Sequence, residues 1–217
     1  MDIVLTILVW AFPVLLAITL HEAAHGYAAR HFGDPTAFLA GRISLNPLRH
    51  IDPVGTIAVP FGIVLLNLVT GASFPPFGWA KAVPVDFGRL RHPKRDMLWV
   101  AAAGPAANLA QAFGWGLMLG LQNALDGYGG DLFYQMGVAG IMVNLALMLL
   151  NLLPIPPLDG GRIAISLLPA PLAYRFAQLE RYGFMILIAL LYLRVLDYLV
   201  WPLIAPLKAI IMALTGA

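Results

Sequence analysis

The run His21-Glu22-Ala23-Ala24-His25 is where the residue types and their spacing first suggest chemistry. Two imidazoles at i and i+4 fall on one face of a helix, one turn apart, where both can hold a tetrahedral Zn2+ ion. Glu22 stands beside them. Its carboxylate can take a proton from water that such a metal acidifies to a pKa of about 7. The chain has only five His and two Glu, so random placement gives this pattern about 0.001 times, an order-of-magnitude value for a motif with a defined mechanism.

A catalytic zinc takes three protein ligands and keeps one position open. The chain has no Cys, so the third ligand is His, Asp or Glu. Asp159 is the first candidate, in Asn151-Leu-Leu-Pro-Ile-Pro-Pro-Leu-Asp159-Gly160-Gly161. The prolines should stop a helix and force extended chain, and the two glycines should allow a tight turn behind the carboxylate. A helix cap or turn role accounts for Asp159 as well. Asp52, His50 and Asp34 are rival ligands, all in the loop after the first apolar segment. The Asn151 amide could donate to an oxyanion or hold substrate, and an interhelical hydrogen bond is the other reading. Asn108 follows Gly104 by four in an Ala-rich stretch. Close helix packing is its first reading and a substrate-positioning role its second. Asn144 reads as an interhelical hydrogen bond.

These groups must be placed by elements of an unusual composition. Of 217 residues, 60% are hydrophobic and 11% charged, against about 25% charged in an ordinary soluble domain. That excludes a soluble globule and a disordered chain. The expected fold is an α-helical polytopic membrane protein of one domain, residues 1–217. At about 20 residues per span there is room for five or six spans. Apolar segments cover residues 2–31, 53–69, 97–121 and 132–153, with one or two spans between 176 and 212. The first is too long for a signal-peptide core and is expected to stay as a helix. The motifs lie in 3–31, 97–121 and 132–165. A net charge of +2 gives no argument for nucleic acid.

Lys and Arg cluster in three regions: Arg30, Arg42 and Arg49; residues 81–95; and Arg162, Arg175 and Arg181. Residues 122–131 have none. If positive charge marks one face, residues 53–69 must enter and leave on that face, and Pro60 and Gly62 would permit it. The region 53–84 is therefore expected to be re-entrant or irregular, and a plain span at 53–69 is the alternative. The topology puts the N-terminus outside and the basic regions, with the His pair near them, in the cytoplasm.

HEAAH, then Ala103-Gly104-Pro105-Ala106-Ala107-Asn108, then NLLPIPPLDGG resemble the motifs of the site-2 protease family of intramembrane zinc metalloproteases. The resemblance covers roughly residues 10–165. It implies His21, His25 and Asp159 as ligands of one Zn2+ and Glu22 as the general base. Residues 41–56 and Gly78-Trp79-Ala80-Lys81 resemble the compact bacterial branch, and there is no room for the PDZ or CBS domains that many members carry.

The expected function is hydrolysis of a peptide bond within a transmembrane segment of a protein substrate. The expected surroundings are a lipid bilayer, the bacterial inner membrane, with the active site toward the cytoplasm. The stretch from Gly71 to Pro84 could pair with an unwound substrate strand. Two other classes compete. A zinc transporter would need polar residues continuing through the membrane, and residues 3–18 offer only Thr6. A silent scaffold would not need His21, Glu22, His25 and Asp159 intact.

Overall fold

A computed structural model describes residues 3–71, 78–125 and 130–217. It is helical, with no strand among the described residues. In chain order the helices are α1 (Ile3–His31), α2 (Thr36–Leu39), α3 (Val59–Thr70), α4 (Pro93–Ala124), α5 (Gly130–Asn151), α6 (Asp159–Leu167), α7 (Ala170–Ala177), α8 (Glu180–Tyr192), α9 (Val195–Leu199) and α10 (Trp201–Thr215). A π-helical turn, Pro53–Ala58, leads directly into α3.

By length and hydropathy, four stretches among the described residues can cross a membrane: Leu5–His31, Pro53–Thr70, Gly130–Asn151 and Val195–Thr215. Between them stands α4, packed on α1, α5, α6 and α10. Its residues 97–121 contain no Asp, Glu, Lys or Arg.

The packing follows from a four-residue repeat. Val9, Pro13, Ala17, His21, His25 and Ala29 are all buried, so one stripe of α1 faces α4 and α5. The stripe carries the two histidines between small alanines. On α4 the buried positions include Gly104, Asn108, Ala112, Trp115 and Leu119, and on α5 they include Gly137, Ile141, Asn144 and Met148. Ala112, Trp115, Leu119, Ile141, Leu145, Met148, Val200, Ile204 and Ile211 form one apolar core where α4, α5 and α10 meet. His21, His25, Asn108 and Asn144 are buried outside that core.

The three basic regions gather at one end. Arg42 donates to Lys81 O at 2.8 Å, and Arg91 donates to His31 O at 2.8 Å. Lys94 donates to Leu168 O, which brings in the third region. The excursion between the first two returns to its origin: Trp79 N donates to Gly55 O at 3.1 Å. The Trp79 indole lies so close to Gly55 that a Cβ there would sit 2.3 Å from it. Residues 53–69 were expected to double back at Pro60 and Gly62, and they do not. They form a single helical run that ends at Thr70. Residues 72–77, part of the region from Gly71 to Pro84, lie outside the described residues, as do 126–129 in the stretch 122–131.

From Asn151 to Asp159 the chain makes tight turns, where extended chain was expected: Ile155 N donates to Leu153 O at 2.7 Å and Leu158 N to Ile155 O at 2.8 Å. Gly160 and Gly161 lie in the first turn of α6 and form no separate turn of their own. Their Cβ positions fall 2.3 Å from Leu152 O and 2.4 Å from Pro156 N, so the loop can wrap onto α6 only over glycine.

The C-terminal third is broken at Arg194, which adopts φ 57° between α8 and α9. Arg194 Nε pairs with Asp197 Oδ2 at 2.8 Å, as the i, i+3 spacing predicts. The pair lies on the surface, with the Arg194 side chain 80% exposed, and not inside a helix interface.

Candidate metal centre

His21 and His25 project from the buried stripe of α1 with their Nε2 atoms 3.0 Å apart. Asp159, the first residue of α6, faces both. Its Oδ2 lies 3.2 Å from His21 Nε2 and its Oδ1 3.4 Å from His25 Nε2. The helix dipole favours a negative charge at that position. The three residues are buried, and one ligand atom from each lies within 4.8 Å of the others.

Several observations test whether this set fits a metal. His25 Nδ1 lies 2.7 Å from Val100 O. A carbonyl only accepts, so Nδ1 carries the proton and Nε2 is left as a lone pair. Asp159 Oδ2, although close to His21, has no hydrogen-bond partner. The space in front of the rings is kept open by Gly104, where a Cβ would lie 2.4 Å from His25 Nε2 and 2.6 Å from His21 Nε2. Donors bound at 2.0–2.1 Å around a tetrahedral zinc stand about 3.3 Å apart. The donor–donor distances of 3.0, 3.2 and 3.4 Å are close to that. The residues therefore fit a zinc ion.

Glu22 lies on α1 between the two histidines in sequence. Its Oε2 accepts the Val83 N–H at 2.7 Å. Val83 belongs to residues 78–86, which carry no regular secondary structure apart from the start of the Phe87–Arg89 turn that follows. That returning segment is tied down along its length. Lys81 N donates to His50 O at 2.9 Å, Arg42 donates to Lys81 O and Ala82 O, and Asp86 N donates to Asp34 Oδ2 at 2.7 Å.

The rival ligands lie elsewhere. Asp34 is fully buried and accepts from Thr36 N at 2.9 Å and Thr36 Oγ1 at 2.5 Å. Burial pushes its carboxyl upward, but the Thr36 and Asp86 hydrogen bonds, with the Arg89 charge, hold it below the usual carboxylate range. Asp52 caps the π-helical turn through Val54 N and Gly55 N. The His50 ring is 2.8 Å from Ser44 O. Among the described residues, His21, His25 and Asp159 are the group that can share a metal.

The two asparagines also find protein partners. Asn151 Nδ2 donates to Leu147 O of its own helix at 3.0 Å. Asn108 Oδ1 lies 2.6 Å from His21 Nδ1, and its Nδ2 donates to Asn144 Oδ1 at 2.9 Å and to Ala17 O at 3.3 Å. Val83 gave no sequence signal, because its backbone makes the contact. The places of Gly104 and Asn108 had one: their spacing of four repeats that of His21 and His25 on the facing helix.

Relatives of this chain carry a shared name. Putative zinc metalloprotease YwhC of Bacillus subtilis is 37% identical over 198 residues, covering 88% of this chain and 83% of YwhC. The chain belongs to the site-2 protease family, peptidase family M50. The profile of that family matches residues 128–193, which include Asp159. Putative zinc metalloprotease Rip2 of Mycolicibacterium smegmatis is 34% identical over 179 residues, 82% of this chain and 64% of Rip2. Putative zinc metalloprotease MJ0611 of Methanocaldococcus jannaschii is 38% identical over 64 residues, 30% of this chain and 31% of MJ0611. No solved structure matches the chain. Membership of family M50 and four long apolar helices make this an integral membrane protein.

Proposed function

We propose that this M50 chain is a single-domain zinc metalloendopeptidase of the HExxH type that cleaves a peptide bond within a transmembrane segment of a protein substrate. The observation that carries the reading is the convergence of His21, His25 and Asp159 on one buried point of an apolar bundle. Ionisable groups at that depth are costly without a partner. His21 Nε2, His25 Nε2 and the Asp159 carboxylate would hold the ion. Bound there, zinc supplies Lewis acidity, polarising a carbonyl oxygen and acidifying water.

The chain's own residues do the rest. Glu22 accepts a proton as the water oxygen adds to the scissile carbonyl carbon. It returns that proton to the amide nitrogen as the C–N bond breaks. Val83 N–H orients the carboxylate for both transfers. A substrate helix has every C=O bonded to an N–H, so it must unwind before attack. Residues 78–84 lie in non-helical conformation beside Glu22, which supports the idea that an unwound strand aligns along this segment.

The basic end of the bundle is also the end that holds the metal group, since Arg42 and Arg91 are tied to the elements that surround Glu22. Under the positive-inside rule the site faces the cytoplasm, in a bacterial inner membrane. A transit role for the metal has less support, because the core of Trp115, Leu119, Ile141 and Leu145 beyond the site is apolar.

The test is Glu22→Gln. The Gln carbonyl oxygen can still accept the Val83 N–H, so fold and bound zinc are expected to persist while cleavage of a membrane-embedded substrate is lost. Cleavage at the wild-type rate would overturn the mechanism.

A further inference from the structure

Both histidines of the metal group need a bare Nε2, and the structure arranges this in two different ways. His25 uses the Val100 carbonyl directly, at 2.7 Å. The acceptor 2.6 Å from His21 Nδ1 is a side-chain amide, Asn108 Oδ1. An amide is ambiguous. Turned over, it would present its NH2 group to Nδ1 and drive the ring proton to Nε2, where it blocks a metal.

What removes the ambiguity lies one helix further away. Asn144 Nδ2 donates to Gly140 O at 2.9 Å. That carbonyl can only accept, so the other end of the Asn144 amide is oxygen. Asn144 Oδ1 faces Asn108 at 2.9 Å and has to be met by an N–H. Ala17 O, at 3.3 Å, demands the same group. Asn108 is left with its oxygen toward His21. Both asparagines are fully buried, so bulk water does not compete for either amide.

We infer that Asn144 and Asn108 form a relay, anchored on the backbone carbonyl of Gly140, that sets the tautomer of His21 and so frees its Nε2 for the metal. The inference rests on the zinc reading proposed above. Both asparagines are positioning residues. A pair that served only to join α4 to α5 would need no particular amide orientation toward α1. Here each link is dictated by an acceptor that cannot donate. Outer partners of this kind change metal affinity about 10–100-fold when removed.

The experiment uses the full chain in detergent micelles, loaded with Co2+ and then titrated with Zn2+ against a chelator. Asn108→Leu is expected to weaken zinc binding about 10–100-fold and to change the Co2+ absorption spectrum. Asn144→Leu alters no atom in contact with His21, yet is expected to weaken zinc in the same direction by about tenfold. If both variants bind zinc with wild-type affinity and an unchanged Co2+ spectrum, the relay is wrong and the zinc site stands. Because either substitution can unfold the chain, the metal-free wild type is also read directly by 15N NMR of the imidazole nitrogens. A proton on His21 Nδ1 supports the relay, and a ring bare at Nδ1 with its proton on Nε2 overturns it. Wild-type protein that takes up no zinc, or His21→Ala that binds it as tightly, would instead overturn the zinc reading itself.

Discussion

Val83 donates its backbone N–H to Glu22 Oε2 at 2.7 Å across 61 positions of sequence. The bond couples the carboxylate beside the metal group to a segment that is itself held by Arg42, His50 and Asp34. The orientation of Glu22 therefore depends on a loop and not only on α1.

Removing that donor should be costly. Val83→Pro deletes the N–H and leaves the Glu22 carboxylate without it. A hydrogen bond to a charged group contributes about 1.5–3 kcal/mol. The expected result is a tenfold to hundredfold fall, on that order, in the rate of substrate cleavage, with zinc content unchanged. Val83→Ala keeps the N–H and should retain most of the activity. Equal losses in Val83→Pro and Val83→Ala would mean that packing of this buried side chain matters and the hydrogen bond does not.

Gly104 offers a sharper separation of fold from site. Gly104→Ala places a Cβ 2.4 Å from His25 Nε2 and 2.6 Å from His21 Nε2. In a helix interior Ala is favoured over Gly by about 0.8–1.0 kcal/mol. The variant should therefore remain helical, with the steric cost confined to the metal group. Zinc content of the purified variant, by elemental analysis, is expected to fall close to zero. Full zinc occupancy would show that the ion does not sit in front of these rings.

The HEAAH spacing was legible because it depends on side-chain identity and one helical turn. The third ligand was not settled by residue type, since Asp159, Asp52, His50 and Asp34 all qualified. Their actual tasks differ by context. Asp52 caps a π-helical turn and Asp34 pins the returning segment. That Trp79 stands beside Gly55 agrees with the positions of Lys and Arg, whereas the unbroken helical run from Pro53 to Thr70 was not legible. Val83 could not have been found at all, because any residue but proline supplies the same N–H. The Asn108–Asn144 contact, 36 positions apart, needed the crossing of α4 and α5 before its direction could be read.

Metal removal should be visible in stability as well as activity. A zinc ion held by His21 and His25 of α1 and by Asp159 of α6 would tie the two helices together. Zinc at 100 times its dissociation constant stabilises the folded state by about 2.7 kcal/mol. Thermal unfolding of the chain in micelles, with zinc and with excess chelator, should show a higher midpoint with zinc for wild type. His25→Ala should show almost no difference between the two conditions. A midpoint in wild type that ignores zinc would argue that His21, His25 and Asp159 do not form a site in the folded chain.

Asp34 predicts a pH effect away from the metal. Its carboxylate accepts from Thr36 N, Thr36 Oγ1 and Asp86 N, and its pKa in the folded chain is lowered. A group depressed in the folded state stabilises it fully above the unfolded pKa, about 3.9 for Asp. That contribution is lost as pH falls through the folded value. Asp34→Asn removes the charge and turns an NH2 group toward one of the three donors, so it should cost about 1–3 kcal/mol at pH 7. The same pair compared near pH 3 should differ less, because the wild-type carboxylate is then giving up its advantage. Thermal unfolding of both proteins at the two pH values measures this directly. A gap that widens on acidification would mean that Asp34 does not act as a depressed carboxylate.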